Sequence, residues 1–178
     1  TEFINAVYFL QFKGFRGVSL LLKQVARTNK ISFKTDKPIA ALWNPFITTL
    51  IIGKDFYYWR GDTRNVEGNT TISMKASILL HESVHISCSL RSFAGPILGL
   101  YLLNEIYWYY FDAARYKTME APQECKTYLV EWNNFNKLGF LEPSKNNLDY
   151  YLELSYIEDV SNQLNYYGIE HKSMPPGY

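Results

Sequence analysis

The sequence predicts a single α+β domain spanning residues 1–178, with a small early antiparallel sheet, one chemically suggestive helix and a mostly helical C-terminal half. Three observations carry that prediction. Short alternating or β-branched runs bounded by Gly, Pro and Asn occur between residues 31 and 59, which is a strand pattern. From about residue 73 onward, apolar residues recur at helical spacing. No repeat, linker or change of composition divides the chain, and 178 residues are enough to close one core without covalent staples.

Residues 4–13 are apolar and fit either helix or strand. Gly14 and Gly17 separate them from residues 18–26, where Val18, Leu21, Leu22 and Val25 fall on one helical face. Ile31 to Thr35 alternates as a strand does, and Pro38 ends it. Ala40–Asn44 and Thr48–Ile52 follow. The second of these, joined by Gly53-Lys54 to Asp55–Trp59, predicts a tight hairpin. Residues 61–69 predict a polar loop. At its ends, Arg60-Gly61-Asp62 resembles an integrin-binding tripeptide and Asn69-Thr70-Thr71 a glycosylation acceptor, and both read as turn chemistry. Ser73 can cap a helix that stops near Gly95-Pro96. A long apolar helix over residues 97–116, a third helix over 123–135 stopped by Gly139, and a last helical region from Asn147 to Glu158 complete the pattern, with a loose tail from Met174.

Composition sets bounds on partners. With 47% hydrophobic and 20% charged residues, the chain can close a core and is not disordered. A net charge of +1 without a run of Lys or Arg leaves no electrostatic footprint for nucleic acid. The 15 Tyr, 11 Phe and 4 Trp suit a core with polar edges or an aromatic-lined cleft. Cys88 and Cys125 fit either reduced thiols or one disulfide. Thr1-Glu2-Phe3 has no secretory signal, although a start at Thr1 fits a mature fragment and leaves secretion open. Phe93 to Phe111 matches a membrane span in length. Pro96, Asn104, Glu105 and the crowding of Tyr and Trp instead predict a buried helix.

The stretch with chemistry is His81-Glu82-Ser83-Val84-His85, which holds two of the three histidines. On a helix His81 and His85 stack one above the other, so their imidazoles can converge on one cation. Glu82 is turned away by about 100°, which leaves it beside a water activated by that cation, where a general base belongs. Ile78-Leu79-Leu80 immediately before His81 predicts a buried turn, and two buried imidazoles and a carboxylate need partners. One metal ion supplies all three; a solvated surface helix or a hydrogen-bonded cluster are the competing readings. Cys88 lies on the same stripe, but three ligands in a column on one helix point the third too far along the axis.

A catalytic zinc takes three protein ligands and keeps one position open. Glu105, Glu120 and Glu124 compete to be the third ligand. His81-Glu82-Ser83-Val84-His85 resembles the signature of zincin metallopeptidases, whose two His bind zinc and whose Glu activates water. The longer form with a further Gly and His is absent, because Ile86-Ser87-Cys88-Ser89-Leu90-Arg91 follows, which points to the glutamate-ligand branch. Asn104-Glu105 is spaced as in thermolysin-type enzymes, but Tyr107-Trp108 stand where a Ser-Asp completes that pattern. Glu124-Cys125-Lys126-Thr127, running through Glu131 and Asn134 to Leu138-Gly139, resembles the Glu-x-x-Thr helix of effector-type zinc metallopeptidases of pathogenic bacteria. Glu124 is therefore preferred; Glu120 precedes Pro122, before the helix begins, and is held least firmly.

The resemblance implies a zincin-like domain in which His81, His85 and Glu124 hold Zn²⁺ and Glu82 is the general base. His171, Tyr166 or Tyr167 is a candidate oxyanion donor. A peptide or protein substrate would pair with the edge of the 48–59 hairpin, and the chain would act as a secreted or delivered effector or toxin. Two readings from other classes compete: a non-catalytic zincin-like module whose structural metal Cys88 closes, and a membrane-active segment over residues 93–111.

Overall fold

Helix α3 (Ile72–Phe93) carries the two histidines and packs against the two N-terminal helices and the strand Ala41–Asn44. Its first half is buried: Met74, Ala76, Leu79 and Leu80 face the core, so the helix is held by packing more than by intrinsic propensity. The cap lies earlier than the sequence suggests. Thr71 Oγ1 accepts from the Met74 amide at 3.2 Å, while Ser73 sits buried inside the first turn and accepts from the Lys145 ammonium at 3.1 Å. The computed structural model describes residues 1–44, 47–61, 64–93 and 124–178. The expected helix over 97–116 and the alternative ligands Glu105 and Glu120 lie outside them.

Residues 4–13, ambiguous in sequence, are helical. Helix α1 (Glu2–Phe12) buries Phe3, Ala6, Val7 and Leu10, a three-and-four spacing that only a helix brings to one side. It packs on α3 and on α2 (Arg16–Arg27). The Lys75 ammonium joins α3 to α1 by pairing with Glu2 at 2.7 Å and donating to the Thr70 carbonyl at 2.9 Å.

Strands β1 (Ile31–Lys34), β2 (Ala41–Asn44) and β3 (Thr49–Gly53) form a mixed sheet in the order β1-β3-β2. β3 is parallel to β1 and antiparallel to β2. The hairpin expected over residues 48–59 therefore does not form. Gly53 serves a close backbone approach and not a turn: an added Cβ would lie 2.1 Å from the Ile39 carbonyl oxygen. A 3-10 turn at Lys54–Phe56 then redirects the chain into β4 (Tyr58–Gly61), which pairs antiparallel with β5 (Val66–Asn69). Part of the expected 61–69 loop is thus a strand, with Arg60 opposite Glu67 and paired with it at 2.9 Å.

Residues 124–132 form helix α4, and turns lead to helix α5 (Asn147–Tyr166). Asn146 caps α5 by accepting from the Asp149 amide at 2.8 Å, and the helix runs two turns past the expected Glu158. The connection is pinned from α5 itself. Glu153, fully buried, accepts from Thr71 Oγ1 and the Leu141 amide, each at 2.7 Å, and from the Lys145 ammonium. The tail is not loose: Tyr178 Oη donates to the Phe140 carbonyl at 2.6 Å. The fold is thus mixed α+β with a mostly helical C-terminal half. Among the described residues no helix is long and apolar enough to cross a membrane, and neither cysteine is in a disulfide.

Candidate metal centre

His81 and His85 project from successive turns of α3 with their Nε2 atoms 3.3 Å apart. Glu124, at the start of the described part of α4, reaches both: Oε2 is 3.5 Å from His81 Nε2 and Oε1 is 3.2 Å from His85 Nε2. Three ligands held at about 2.0–2.1 Å from a tetrahedral cation stand roughly 3.3–3.4 Å from one another. The two Glu124 contacts run to different oxygens; with one donor atom from each residue, the three lie within 4.8 Å of one another, a triangle that could hold one divalent ion. Among the described residues, His81, His85 and Glu124 are the group of His, Cys, Asp or Glu donors that can hold a metal, and Cys88 is not part of it.

A further carboxylate orients the first ligand. Glu131, 1% exposed, holds Oε2 at 2.9 Å from His81 Nδ1. Its Oε1 accepts from Ser77 Oγ at 2.8 Å and from Tyr156 Oη at 2.6 Å. Once a cation displaces the Nε2 proton, Glu131 accepting the Nδ1 proton would leave the His81 Nε2 lone pair toward Glu124 and His85, the arrangement that fixes tautomer and ring orientation in metal-binding histidines. In the sequence Glu131 reads only as a continuation of the Glu124 helix. Its position seven residues on, two turns along the same face, was the signal for this role. Tyr128 lies between them in sequence and packs its ring edge-on against His81 at 4.8 Å between centroids.

Electrostatics follow from three carboxylates and two imidazoles packed together. Burial opposes charge on His81, but the carboxylates of Glu131 and Glu124, with Glu82 beyond, outweigh it and raise its pKa to about 10. His85 is raised in the same way, by Glu124 and Glu82 against its burial. Burial also works against the Glu124 carboxylate, yet hydrogen bonds and charge from the two imidazoles hold it well below the usual carboxylate range. A cation replaces the protons that stabilise this cluster in its absence.

Glu82 is buried beside the triangle, and one oxygen accepts from the Trp43 amide of β2 at 2.6 Å. Burial lifts its pKa, and the two imidazoles and the Trp43 amide offset only part of that rise. A carboxylate so placed is a stronger base than a solvated one. The Trp43 indole in turn donates to Ser89 Oγ on α3 at 2.9 Å, which fastens β2 to the helix. A hollow of about 150 Å³ opens over His81 and Glu82, walled by Ala40, Ala41 of β2, Tyr128, and Tyr156 with Asp159 of α5.

The sequence-predicted ligands and base are thus brought together. The predicted oxyanion donors are not among the residues walling the hollow. His171 is engaged elsewhere, with Nε2 2.7 Å from Ser161 Oγ, Nδ1 2.9 Å from the Ile169 carbonyl and its ring on Trp132. Tyr167 stacks on Tyr128 at 6.2 Å. No protein-family model, no curated protein and no solved structure matches the chain.

Proposed function

We propose that the chain is a zinc-dependent metallohydrolase, a peptidase that cleaves protein or peptidoglycan peptides. The observation that carries this reading is the convergence of His81, His85 and Glu124, whose candidate donor atoms lie within 4.8 Å of one another, with a buried carboxylate beside them. The donor set supports zinc: two neutral imidazoles and one carboxylate, with no fourth protein donor among the described residues, suit a catalytic and not a closed structural site. When bound, the cation supplies Lewis acidity, activating a water and polarising the scissile carbonyl.

The chain's own residues supply the remaining steps. Glu82, held by the Trp43 amide, takes a proton from the attacking water as its oxygen bonds to the carbonyl carbon. It then delivers that proton to the departing amine nitrogen as the C–N bond breaks. Glu131 keeps His81 in the ligating tautomer throughout. An extended substrate enters at the Ala41 end of β2, an edge strand that walls the hollow, in place of the hairpin edge expected from sequence. The likeness of the Glu124-Cys125-Lys126-Thr127 helix to effector-type metallopeptidases supports a secreted or delivered effector or toxin role. The test is hydrolysis of a quenched-fluorescent peptide library by zinc-loaded chain, chelator-treated chain and Glu82→Gln, with metal content measured in each. Cleavage by the first alone supports the reading; equal cleavage by Glu82→Gln, or a chain that takes up no zinc, overturns it.

A further inference from the structure

The net charge of +1 conceals an uneven distribution. Residues 1–34 hold six of the 18 Lys and Arg but one of the 17 Asp and Glu, a net +5, which leaves −4 on the rest of the chain. The one acid, Glu2, is paired with Lys75. Asymmetry of this kind marks a region that meets an anionic partner.

Helices α1 and α2 gather that charge on one surface. On α1, Ile4, Tyr8 and Phe12 recur every four residues and fall within a sector of about 80°, turned away from the buried Phe3, Ala6, Val7 and Leu10. Phe12 is 83% exposed, Tyr8 58% and Ile4 43%. On α2, Arg16, Leu20, Lys23 and Arg27 fall within about 60°; Leu20 is 66% exposed and both arginines are exposed. The two stripes meet. The Lys23 ammonium stands 4.4 Å over the Tyr8 ring and donates to Oε1 of Gln11, on the same outer side of α1, at 2.6 Å. The result is an apolar ridge of Ile4, Tyr8, Phe12 and Leu20 edged by Arg16, Lys23 and Arg27, with no acidic residue in it.

The occupant of this surface has to answer both its apolar and its cationic parts. A second copy would set the three cations against their own counterparts with no acid to meet them. A nucleic-acid backbone would meet the cations and leave Phe12 and Leu20 against phosphates and water. A bilayer with anionic headgroups answers both, because the apolar side chains enter the headgroup–acyl boundary while Lys and Arg stay at the phosphates. Neither helix is long and apolar enough to cross the bilayer, so the contact lies on its surface.

We propose that the outer face of α1 and α2 docks the chain on an anionic membrane surface. No residue walling the hollow over His81 comes from either helix, so the face is separate from the metal centre and the proposal does not depend on the peptidase reading. The test is sedimentation of the chain with vesicles of phosphatidylcholine alone and with about 30% phosphatidylserine. A cation at an anionic surface is worth about fivefold in partitioning. The parent should therefore bind anionic vesicles at least about tenfold more tightly than neutral ones, and about 1 M salt should release it. Arg16→Glu with Arg27→Glu should weaken anionic binding at least about tenfold, and so should Tyr8→Ser with Phe12→Ser, at least about tenfold by loss of the inserted rings. Tyr151→Ser, which removes a half-exposed ring on α5, should bind as the parent does. Circular dichroism checks that each variant is folded.

A parent that does not sediment with anionic vesicles overturns the proposal, and so does equal binding to neutral ones. Binding unchanged by both pairs of substitutions traces the affinity to another part of the chain and overturns it as well. A parent that ignores vesicles, yet melts lower or changes oligomeric state on Tyr8→Ser with Phe12→Ser, has this face covered by its own residues 94–123 or by a second copy, and the proposal fails. Retention on duplex DNA without vesicle binding sinks it too. Vesicle binding through this face in a chain that cleaves no peptide supports the proposal and removes only the peptidase.

Discussion

Glu131→Gln tests the site through a residue that does not touch the cation. The substitution keeps the shape of the side chain, and the new amide oxygen can still accept from Ser77 and Tyr156 in place of Oε1. The NH₂ group then falls where Oε2 now stands, 2.9 Å from His81 Nδ1. A donor facing the Nδ1 proton forces the ring to its other tautomer, which puts the proton on Nε2 and removes the lone pair needed for ligation. Losing such a partner costs about 10–100-fold in metal affinity, or roughly 1.4–2.7 kcal/mol. Zinc affinity is measured by competition with a chromophoric chelator, with circular dichroism and thermal melting confirming that the variant is folded. Tyr156→Phe serves as the graded control, because it removes one donor to Oε1 and leaves the Glu131–His81 contact. A folded Glu131→Gln chain that binds zinc within twofold of the parent refutes the orienting role.

Glu82→Gln should keep stoichiometric zinc and lose about 10²–10⁴-fold in peptide hydrolysis, and full activity would exclude Glu82 as the base. Glu124→Ala should abolish zinc binding at micromolar metal while the apo fold melts cooperatively; retained affinity would hand the third position to another group. The metal-free chain should lose stability as pH rises. His81 has its pKa raised from 6.5 to about 10, so its contribution is complete below the unfolded value of 6.5 and disappears as pH climbs through the folded one, which Tm against pH in chelator will show. Zinc uptake should correspondingly release protons, read by calorimetry in buffers of different ionisation enthalpy, and uptake without release would contradict the protonated cluster. Lys145→Met, which strands the fully buried Glu153 carboxylate, should destabilise by about 3–5 kcal/mol in urea. A loss under 1 kcal/mol would show that the carboxylate has other support.

His81, Glu82 and His85 could be read from the chain because one helix of known pitch fixes where all three point. Glu124 needed a second element, and only its likeness to a known helix favoured it over Glu105 and Glu120. Glu131 shares that helix face, yet a glutamate in a helix is commonly solvated, and nothing local says that Ser77 and Tyr156 wait for it. The Trp43–Glu82 bond was beyond reach for another reason: a backbone amide is the same at every residue and leaves no mark in the sequence. Strand order failed at Gly53, where a turn residue in isolation proves to be a contact residue against Ile39. Thr71 displaced Ser73 as the cap because Lys145, far along the chain, claims the serine hydroxyl. Local periodicity carried what one element decides alone, and partners distant in sequence decided the rest.

The candidate donors for a cation sit on two helices, α3 with its histidines and α4 with Glu124. A bound ion is therefore a removable rivet between them, and the bond it makes exists only while free metal is available. By linkage, free zinc at a hundredfold excess over its dissociation constant adds about 2.7 kcal/mol to the folded state. A compartment that withholds zinc would then hold a looser molecule, and one that supplies zinc a tighter one.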